Sequence, residues 1–354
     1  MDADLNPEKL ARSIRTLRVF IDRSLGLEEK DVQVKGFLLN QALLQASACN
    51  TYVETVSDKA DRLYARANET KHYMMTMAYL DAIKAMAQHF SFQDKNVMLA
   101  FDYTDEDFYG DVQGIFIHGV KPEHGVTGAF RFLTCSIVSD DMQQKIPLVS
   151  VPVMLCHSKA KAVCFCLALV RKLFKSIALI LFDRGFYSKE LMYTLTEADY
   201  PYLILVPKND QVKAELESMN RGGRKKILYD FEFSKNKTTV RGQTYQAFLK
   251  DVFNKHLDRD IDWVFATSVQ EIELDEIIST YRKRWRIETG FRVQDEAKIK
   301  CKSTEMNIRF FLFLYEQLMQ TLWTCFFKED ASFKSFMIQM SKRCDEIVAK
   351  ADKN

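Results

Sequence analysis

Apolar positions in residues 1–95 recur at helical spacing. After Pro7 they return every three or four residues, a pattern that predicts a helix with a proline in its first turn. These positions are Leu10, Ile14, Leu17 and Ile21. Lys59–His89 is a second long stretch with few helix breakers. We therefore predict a helical N-terminal domain over residues 1–95. DNA-end binding and a role as a cap or dimerisation module are both open for it.

From residue 96 the pattern changes to short apolar runs bounded by turn residues, which is typical of strands. Asn96–Asp102, Ser176–Phe182 and Tyr202–Val206 are nearly continuous in apolar residues, as expected for strands with both faces buried. Ser158–Lys175 precedes the second of these runs and has a helical period. Further strand candidates are Gly114–Val120, Gly128–Val138, Pro147–Leu155 and Trp263–Thr267. The sequence thus predicts an α/β fold with a mixed sheet flanked by helices.

Lys208–Asp260 differs from its surroundings. It is rich in Lys, Arg, Asn and Gly, and its alternating stretches predict antiparallel strands. We interpret it as a β-rich insertion, at about residues 208–260, within a core domain that covers residues 96–325. Ile308–Phe327 is predicted to be a helix, and residues 326–354 are predicted to form a C-terminal helical tail.

Charge is balanced over the chain but concentrated locally. The formal net charge of the 354 residues is only +2, which excludes a uniformly basic coat for nucleic acid. Residues 281–302, with the sequence YRKRWRIETGFRVQDEAKIKCK, hold eight Lys or Arg against three Asp or Glu. A surplus of this size on one short segment favours a polyanionic partner. Tyr281, Arg284 and Glu288 are three and four residues apart, so on a continuous helix they would share one face.

Composition indicates a soluble protein in a reducing setting. The eight cysteines form no CxxC pair, and most have apolar neighbours, as expected for buried reduced thiols. The polar N-terminus does not resemble a signal peptide, and the longest apolar runs are too short to span a bilayer. We expect a cytoplasmic protein with no membrane partner.

Three carboxylates stand out against this predicted fold. Asp102 ends the first buried strand, Asp183 follows the second, and Glu288 lies on the basic helix. Acidic residues at the carboxyl ends of neighbouring strands can converge, and a helix can add a third from outside the sheet. Convergent carboxylates are suited to a pair of Mg²⁺ ions, which prefer oxygen ligands and can promote in-line phosphoryl displacement.

Each of these residues also has a structural interpretation. Asp102 would begin a solvated turn, and Asp183 would cap the following helix or start a turn before Gly185. Glu288 would form pairs along its helix with Arg284 or Arg292. Taken singly, the structural interpretations are favoured; the order of the three along the chain favours a metal site.

The motifs around these residues resemble those of the DDE transposases of prokaryotic insertion sequences, which have an RNase H-like core. Asp183 stands in D-R-G-F-Y, similar to the D-x-G-[FY] around the second catalytic aspartate of that family. Tyr281-x-x-Arg284-x-x-x-Glu288 matches the Y-x-x-R-x-x-x-E signature of one large branch, which also carries a β-rich insertion before the glutamate helix. The likeness covers roughly residues 96–325.

This resemblance implies a metal-dependent DNA transposase. Asp102, Asp183 and Glu288 would bind two Mg²⁺ ions, with Mn²⁺ as a substitute. The enzyme would cut double-stranded DNA at element ends and direct the released 3′-OH at target DNA, acting as a homodimer in the DNA complex. Tyr281 and Arg284 would position backbone phosphates, contacts that set register without reading sequence.

Three further residues are candidates for DNA contact. Trp285 would stack on an unpaired base, although a single tryptophan on a helix is more often a core residue. The family signature continues with a lysine seven residues after the glutamate, where this chain has Asp295. On a continuous helix Lys298 would lie about 80° from Glu288 and Arg292 nearer to its face, so either would supply the cation.

Three other functions stay open at this point. A haloacid-dehalogenase-like phosphatase is disfavoured because Asp102-Tyr-Thr-Asp lacks the D-x-D-x-T spacing. An RNase H-like nuclease without strand transfer fits the same carboxylates. A degenerate or domesticated transposase that only binds DNA is the third, and Asp295 is the feature that favours it.

Overall fold

The computed structural model describes most of the chain. It gives backbone and side chains for residues 4–27, 36–111, 114–121, 125–139, 145–235, 237–254, 258–285 and 290–350, and backbone alone for residues 29–35, 286–289 and 351. None of the helices in these ranges is long and apolar enough to cross a membrane.

The described strands join in one nine-stranded mixed sheet, whose order is β2-β3-β1-β5-β6-β9-β8-β7 with β4 paired to β3. The strands are β1 (Asn96–Phe108), β2 (Ile117–His118), β3 (Gly128–Ile137), β4 (Ile146–Pro152), β5 (Ser176–Phe182), β6 (Tyr202–Leu205), β7 (Arg224–Lys235), β8 (Thr238–Asn254) and β9 (Arg259–Thr267).

Helices precede the sheet, connect its strands and follow it. They are α1 (Pro7–Ser24), α2 (Glu29–Ala48), α3 (Ala60–Glu69), α4 (His72–Ala87), α5 (Lys159–Val170), α6 (Lys189–Glu197), α7 (Asp210–Glu217), α8 (Leu274–Arg282), α9 (Arg286–Gln294), α10 (Met306–Phe326) and α11 (Phe333–Ala351).

The centre of the sheet has the order β4-β3-β1-β5-β6. Strand β1 is antiparallel to β3 and parallel to β5, and β5 is parallel to β6. Parallel strands need a crossover connection, which α6 supplies between β5 and β6. The continuous apolar runs at β1, β5 and β6 follow from burial of both sheet faces. The predicted α/β fold, with a mixed sheet flanked by helices, is confirmed.

The predicted insertion extends this sheet with antiparallel strands. Strand β9 pairs with β6 through Leu203 and Thr267, and β8 pairs with β9 along most of its length. Strand β7 is the edge strand at this end of the sheet. It pairs with β8 from Arg224 opposite Leu249 to Lys235 opposite Thr238. The β-rich prediction is confirmed, and these strands continue the core sheet.

The N-terminal helices share a core with the C-terminal ones. Helix α10 is buried on nearly every side, as expected for a helix that is apolar all round. The rings of Phe20 and Phe311 stack with centroids 5.7 Å apart. Tyr315 Oη donates to Asn40 Oδ1 at 2.8 Å, and Thr76 Oγ1 donates to the carbonyl oxygen of Ser150 at 3.0 Å. The separate function of residues 1–95 stays a prediction.

Three element boundaries differ from the sequence predictions. Strand β1 does not end at Asp102 but continues to Phe108, because β3 pairs with it along its whole second half. The stretch Lys59–His89 is two helices, since Thr70 has an extended backbone that ends α3. Of the candidate strand Gly114–Val120, the structure assigns Ile117–His118 as a strand, which pairs with β3.

A buried acid on α10 gives a first testable prediction. Glu316 is 5% exposed, and its Oε1 accepts from the backbone N–H of Ile299 at 2.7 Å. Burial raises the pKa of Glu316 well above its usual value, and nearby Glu106 raises it further, while the Ile299 bond and Lys298 oppose the shift. A carboxyl with a raised folded-state pKa stabilises the fold less as the pH rises above its unfolded pKa of about 4.3.

The Glu316→Gln variant is therefore expected to be more stable than the parent at pH 8, by roughly 1 kcal/mol, and equal to it near pH 4. The amide oxygen can still accept the Ile299 bond while the buried charge is gone. Urea unfolding at both pH values measures this difference. A variant that is less stable at pH 8 would mean that attraction to Lys298 outweighs burial.

Candidate functional site

Strand pairing brings Asp102 and Asp183 side by side. Phe101 and Phe182 are Cα partners in the parallel register of β1 and β5, and the two aspartates come next. Neighbouring strands lie about 4.8 Å apart, so the aspartates occupy adjacent positions where β5 ends. The Phe101 and Phe182 rings stack at 5.3 Å on one face. Side chains alternate along a strand, so both carboxylates belong to the opposite face.

Aromatic stacking on the first face ties the two acidic segments together. Tyr103 follows Asp102, and its ring lies parallel to that of Phe186 with centroids 4.5 Å apart. Phe186 belongs to the turn after Asp183, and its backbone N–H donates to the Asp183 carbonyl oxygen at 2.9 Å. Lys159, at the start of α5, donates to the Gly185 carbonyl oxygen in the same turn. These contacts hold the D-R-G-F-Y segment against β1.

Helix α8 covers the face that carries the carboxylates. Tyr281 on this helix is 2% exposed and packs edge-on against Phe265 of β9, with ring centroids 4.9 Å apart. Trp263, also on β9, lies 6.2 Å from the Tyr281 ring. The apolar face of α8 is therefore explained by its packing on β9.

The hydroxyl of Tyr281 lies close enough to the two aspartates for their charges to affect its pKa. Burial raises the pKa of Tyr281, the Arg284 cation lowers it, and the charges of Asp183 and Asp102 raise it again. Four groups of the predicted site are thus close enough to influence one another.

Arg284 is directed at Asp102. Its Nη1 lies 3.2 Å from Asp102 Oδ2, with side chains that are 5% and 17% exposed. The other carboxylate oxygen of Asp102 accepts from the backbone N–H of Tyr103 at 2.9 Å. A buried guanidinium of this kind compensates a carboxylate that would otherwise be costly to bury.

The prediction of one continuous helix through residues 281–302 is wrong. Helix α8 ends at Arg282, a 3₁₀ turn covers Lys283–Trp285, and α9 begins at Arg286. A second 3₁₀ turn, Asp295–Ala297, follows α9. Tyr281 and Arg284 still lie close together, with the Arg284 guanidinium carbon 5.6 Å from the Tyr281 ring centroid and its Nη1 3.2 Å from Asp102 Oδ2.

The backbone of Glu288 lies in α9, and its side chain is outside the described residues. Two buried glutamines fix α9 relative to α10. Gln320 Nε2 donates to the Gly290 carbonyl oxygen at 2.6 Å, and Gln294 Nε2 donates to the Phe313 carbonyl oxygen at 3.3 Å. The ligand role of Glu288 stays a prediction.

The three remaining candidates lie at different depths. Trp285 is half-buried, with its ring 6.5 Å from that of Trp263, and Arg292 is exposed. Lys298 is beyond the end of α9, so the angle predicted for it on a continuous helix does not apply. Its Nζ lies 3.3 Å from Glu106 Oε1. Burial lowers the pKa of Lys298, but Glu106 and the neighbouring acids outweigh this effect and raise it.

Lys145 enters the same region and was missed in the sequence. It precedes β4 and is 8% exposed, with Nζ 3.8 Å from the centroid of the Phe291 ring. Burial lowers the pKa of Lys145 to about 7, and the Asp102 carboxylate acts to raise it. A lone lysine before an apolar strand gives no local signal, since its partners lie far away in sequence.

Comparison with known proteins assigns the chain to a family. The family described as "Transposase DDE domain" matches residues 136–321, which is more than half of the chain. This range contains Asp183 and Glu288, and it begins after Asp102. The chain belongs to this family of DDE transposases, and its function is DNA transposition. Family membership implies a nuclease or transferase activity.

A solved structure has the same fold. The cryo-EM structure of piggyBac transposase, in a synaptic complex with hairpin DNA, is similar to 97% of this chain and 80% of that one, with a TM-score of 0.59. Sequence identity is 11%, so this likeness concerns the fold. The comparison with curated proteins gave no match.

Proposed function

We propose that this chain cuts double-stranded DNA at the ends of a mobile element and joins the released 3′-OH to target DNA. Asp102, Asp183 and Glu288 would hold two Mg²⁺ ions, with Mn²⁺ as a substitute. The observation that carries the proposal is the register of β1 and β5, which sets Asp102 and Asp183 side by side on the face covered by Tyr281 and Arg284.

The donor set fits hard divalent cations. Carboxylate oxygens are the ligands that Mg²⁺ prefers, and it binds through one or two of them together with substrate phosphates. We assign the third ligand to Glu288 of α9, as the resemblance implies. Bound ions would act as Lewis acids and would stabilise the attacking and leaving oxygens of an in-line displacement.

The residues around the carboxylates would orient DNA. Tyr281 and Arg284 are adjacent to the aspartate pair and would position the phosphate at the cut. Arg292 is exposed on α9 and is available to a second phosphate. We assign Lys298 to a backbone contact and Trp285 to stacking on an unpaired base.

The proposal also covers the oligomeric state, the role of the N-terminal helices and the cellular location. Joining two element ends requires two active sites, so we propose a homodimer in the DNA complex. Residues 1–95 are proposed to bind element ends. The eight cysteines are all free thiols, three of them buried, which is in keeping with a reducing cytoplasmic setting.

The direct test is a cleavage assay with the purified protein and DNA that carries its own element ends. We expect nicking at the ends, and joining to a second duplex, with Mg²⁺ or Mn²⁺ and neither in EDTA. End-labelled products resolved on denaturing gels measure both steps.

Two alternatives have distinct outcomes in this assay. Nicking without joined product, under conditions in which synapsed ends form, would identify a nuclease without strand transfer. Binding of ends with no cleavage in either metal would identify a domesticated DNA-binding protein, and would contradict the proposed reaction.

A further inference from the structure

Lys145 is held in a space that a glycine leaves open. A Cβ atom at Gly290 would stand 2.6 Å from Lys145 Cδ and 2.9 Å from its Nζ, closer than real Cβ atoms approach other atoms. The lysine side chain therefore lies directly against the backbone of α9, two residues after Glu288. Its ammonium group also faces the ring of Phe291 at 3.8 Å, a distance suited to a cation–π contact.

The contacts of Lys145 link two parts of the candidate site. Lys145 directly precedes β4. Its side chain reaches α9, the helix that carries Glu288. Its charge interacts with Asp102 on β1, as the effect of Asp102 on the lysine shows. Burial of an ammonium is unfavourable unless nearby negative charge or dipoles compensate it. Asp102 and the Phe291 ring offset part of this cost, and burial remains the larger effect on the pKa of Lys145.

We propose that Lys145 is a positioning residue of the metal site, and that its ammonium provides the positive charge that the family signature places at position 295. This inference rests on the proposed metal site. The cation partly compensates the charge of Asp102 while its stem packs against α9, so the site has a counter-charge before ions or DNA bind, and a divalent ion competes with it. Asp295 is exposed and lies in a 3₁₀ turn outside this region.

An electrostatic role can be separated from a structural one by metal affinity. Removing a cation beside a divalent ion strengthens binding of that ion, whereas loss of structure weakens it. Lys145→Met and Lys145→Gln are expected to bind Mn²⁺ about three- to tenfold more tightly than the parent, as for one unit charge in a partly buried site. Titration by electron paramagnetic resonance without DNA, at about pH 6, measures the free ion.

The matched control is Lys250→Met. Lys250 lies on β8 and donates to the Met219 carbonyl oxygen at 2.8 Å, in the inserted part of the sheet. Its Mn²⁺ affinity is expected to equal that of the parent. Equal or weaker binding by both Lys145 variants would overturn the inference while leaving the metal site intact. Binding in the parent that does not change in Asp183→Ala would overturn the metal site and this inference together.

A second experiment tests the geometry without metal. In a helix interior Ala is favoured over Gly by up to about 1 kcal/mol, and in the parent this gain is opposed because the new Cβ has to displace the Lys145 side chain. In a Lys145→Ala background the clash is absent, so Gly290→Ala is expected to be more favourable there than in the parent. A double-mutant cycle from urea unfolding gives the coupling. Additive effects of the two substitutions would show that the lysine does not occupy this space.

Discussion

Asp183→Ala is expected to abolish DNA cleavage while leaving the protein folded and at least as stable as the parent. The loss should be at least about 10³-fold, because a metal site supplies several kcal/mol of transition-state stabilisation and each 1.4 kcal/mol is a factor of ten. Stability should not fall, since Asp183 lies next to Asp102 and removal of one of two neighbouring like charges relieves repulsion.

Cleavage rates on end-bearing DNA and urea unfolding midpoints, measured on the same preparations, check both halves of this expectation. Asp210→Ala is the matched control, because Asp210 is a fully exposed aspartate at the start of α7 and pairs only with Lys213 among the described contacts. It should change neither quantity by a measurable amount. Cleavage that survives in Asp183→Ala would show that the metal-ligand assignment is wrong.

If Asp183→Ala loses activity and gains stability, the aspartate is kept for function at a cost to the fold. Functional sites commonly keep groups that the fold alone would not select. Asp102 and Asp183 are such groups, because the strands would pair equally well with neutral residues at these positions. The Tyr103–Phe186 stack on the other face then has a clear role, since it holds together two segments that the carboxylates push apart.

Much of the sheet was predictable because its signal is local. The apolar run Ser176–Phe182 is one strand with the bounds predicted for it, and Gly128–Val138 is a strand to within one residue. Asp183 follows its strand as the motif D-R-G-F-Y indicated. Where an element is defined by continuous burial or by a short motif, the sequence of that element alone is informative.

The interruption of the basic helix was not predictable in the same way. Residues 281–302 keep a helical period in charge and hydrophobicity, yet 3₁₀ turns stand at Lys283–Trp285 and Asp295–Ala297. The first turn lies between two helices that pack on different neighbours: α8 packs on β9, and α9 is fixed to α10 by Gln320. A helical period does not show which neighbour each half of a helix will meet.

The surroundings of the lysines near the site were not predictable for a related reason, and the DNA contact of Lys298 stays a prediction. Lys298 looked suitable by helical angle, but its nearest acid is Glu106 on β1, away from the aspartate pair. Lys145 lies far from the other site residues in sequence, and only the fold brings it to Gly290 and Asp102. Charge complementarity between distant segments is a property of the packed structure.

Arg284→Met is expected to lower the free energy of unfolding by roughly 3–5 kcal/mol, the range found when one partner of a buried ion pair is removed. The guanidinium is 5% exposed, and Asp102, to which it donates at 3.2 Å, is 17% exposed. The variant leaves the carboxylate without this cation, at a position where water reaches it poorly. Urea unfolding measures the change, with Arg282→Met as a control, since Arg282 is exposed at the end of α8, two residues earlier in the chain.

The double variant with Asp102→Asn decides whether this loss comes from the pair. If the unpaired carboxylate is the cause, Arg284→Met should cost much less in the Asp102→Asn background, and the cycle gives their coupling energy. Equal losses in both backgrounds would mean that Arg284 stabilises the fold through its packing on Tyr281, whose ring centroid is 5.6 Å from the guanidinium carbon.

The salt dependence of DNA binding then tests the second role proposed for the same side chain. If Arg284 also contacts a phosphate at the cut, Arg284→Met should reduce the slope of log affinity against log salt by about one, at a temperature where the variant is folded. An unchanged slope would mean that Arg284 contacts Asp102 but no DNA phosphate. The arginine of the signature would then position a metal ligand and not the DNA, and Arg292 and Lys298 would remain as its phosphate contacts.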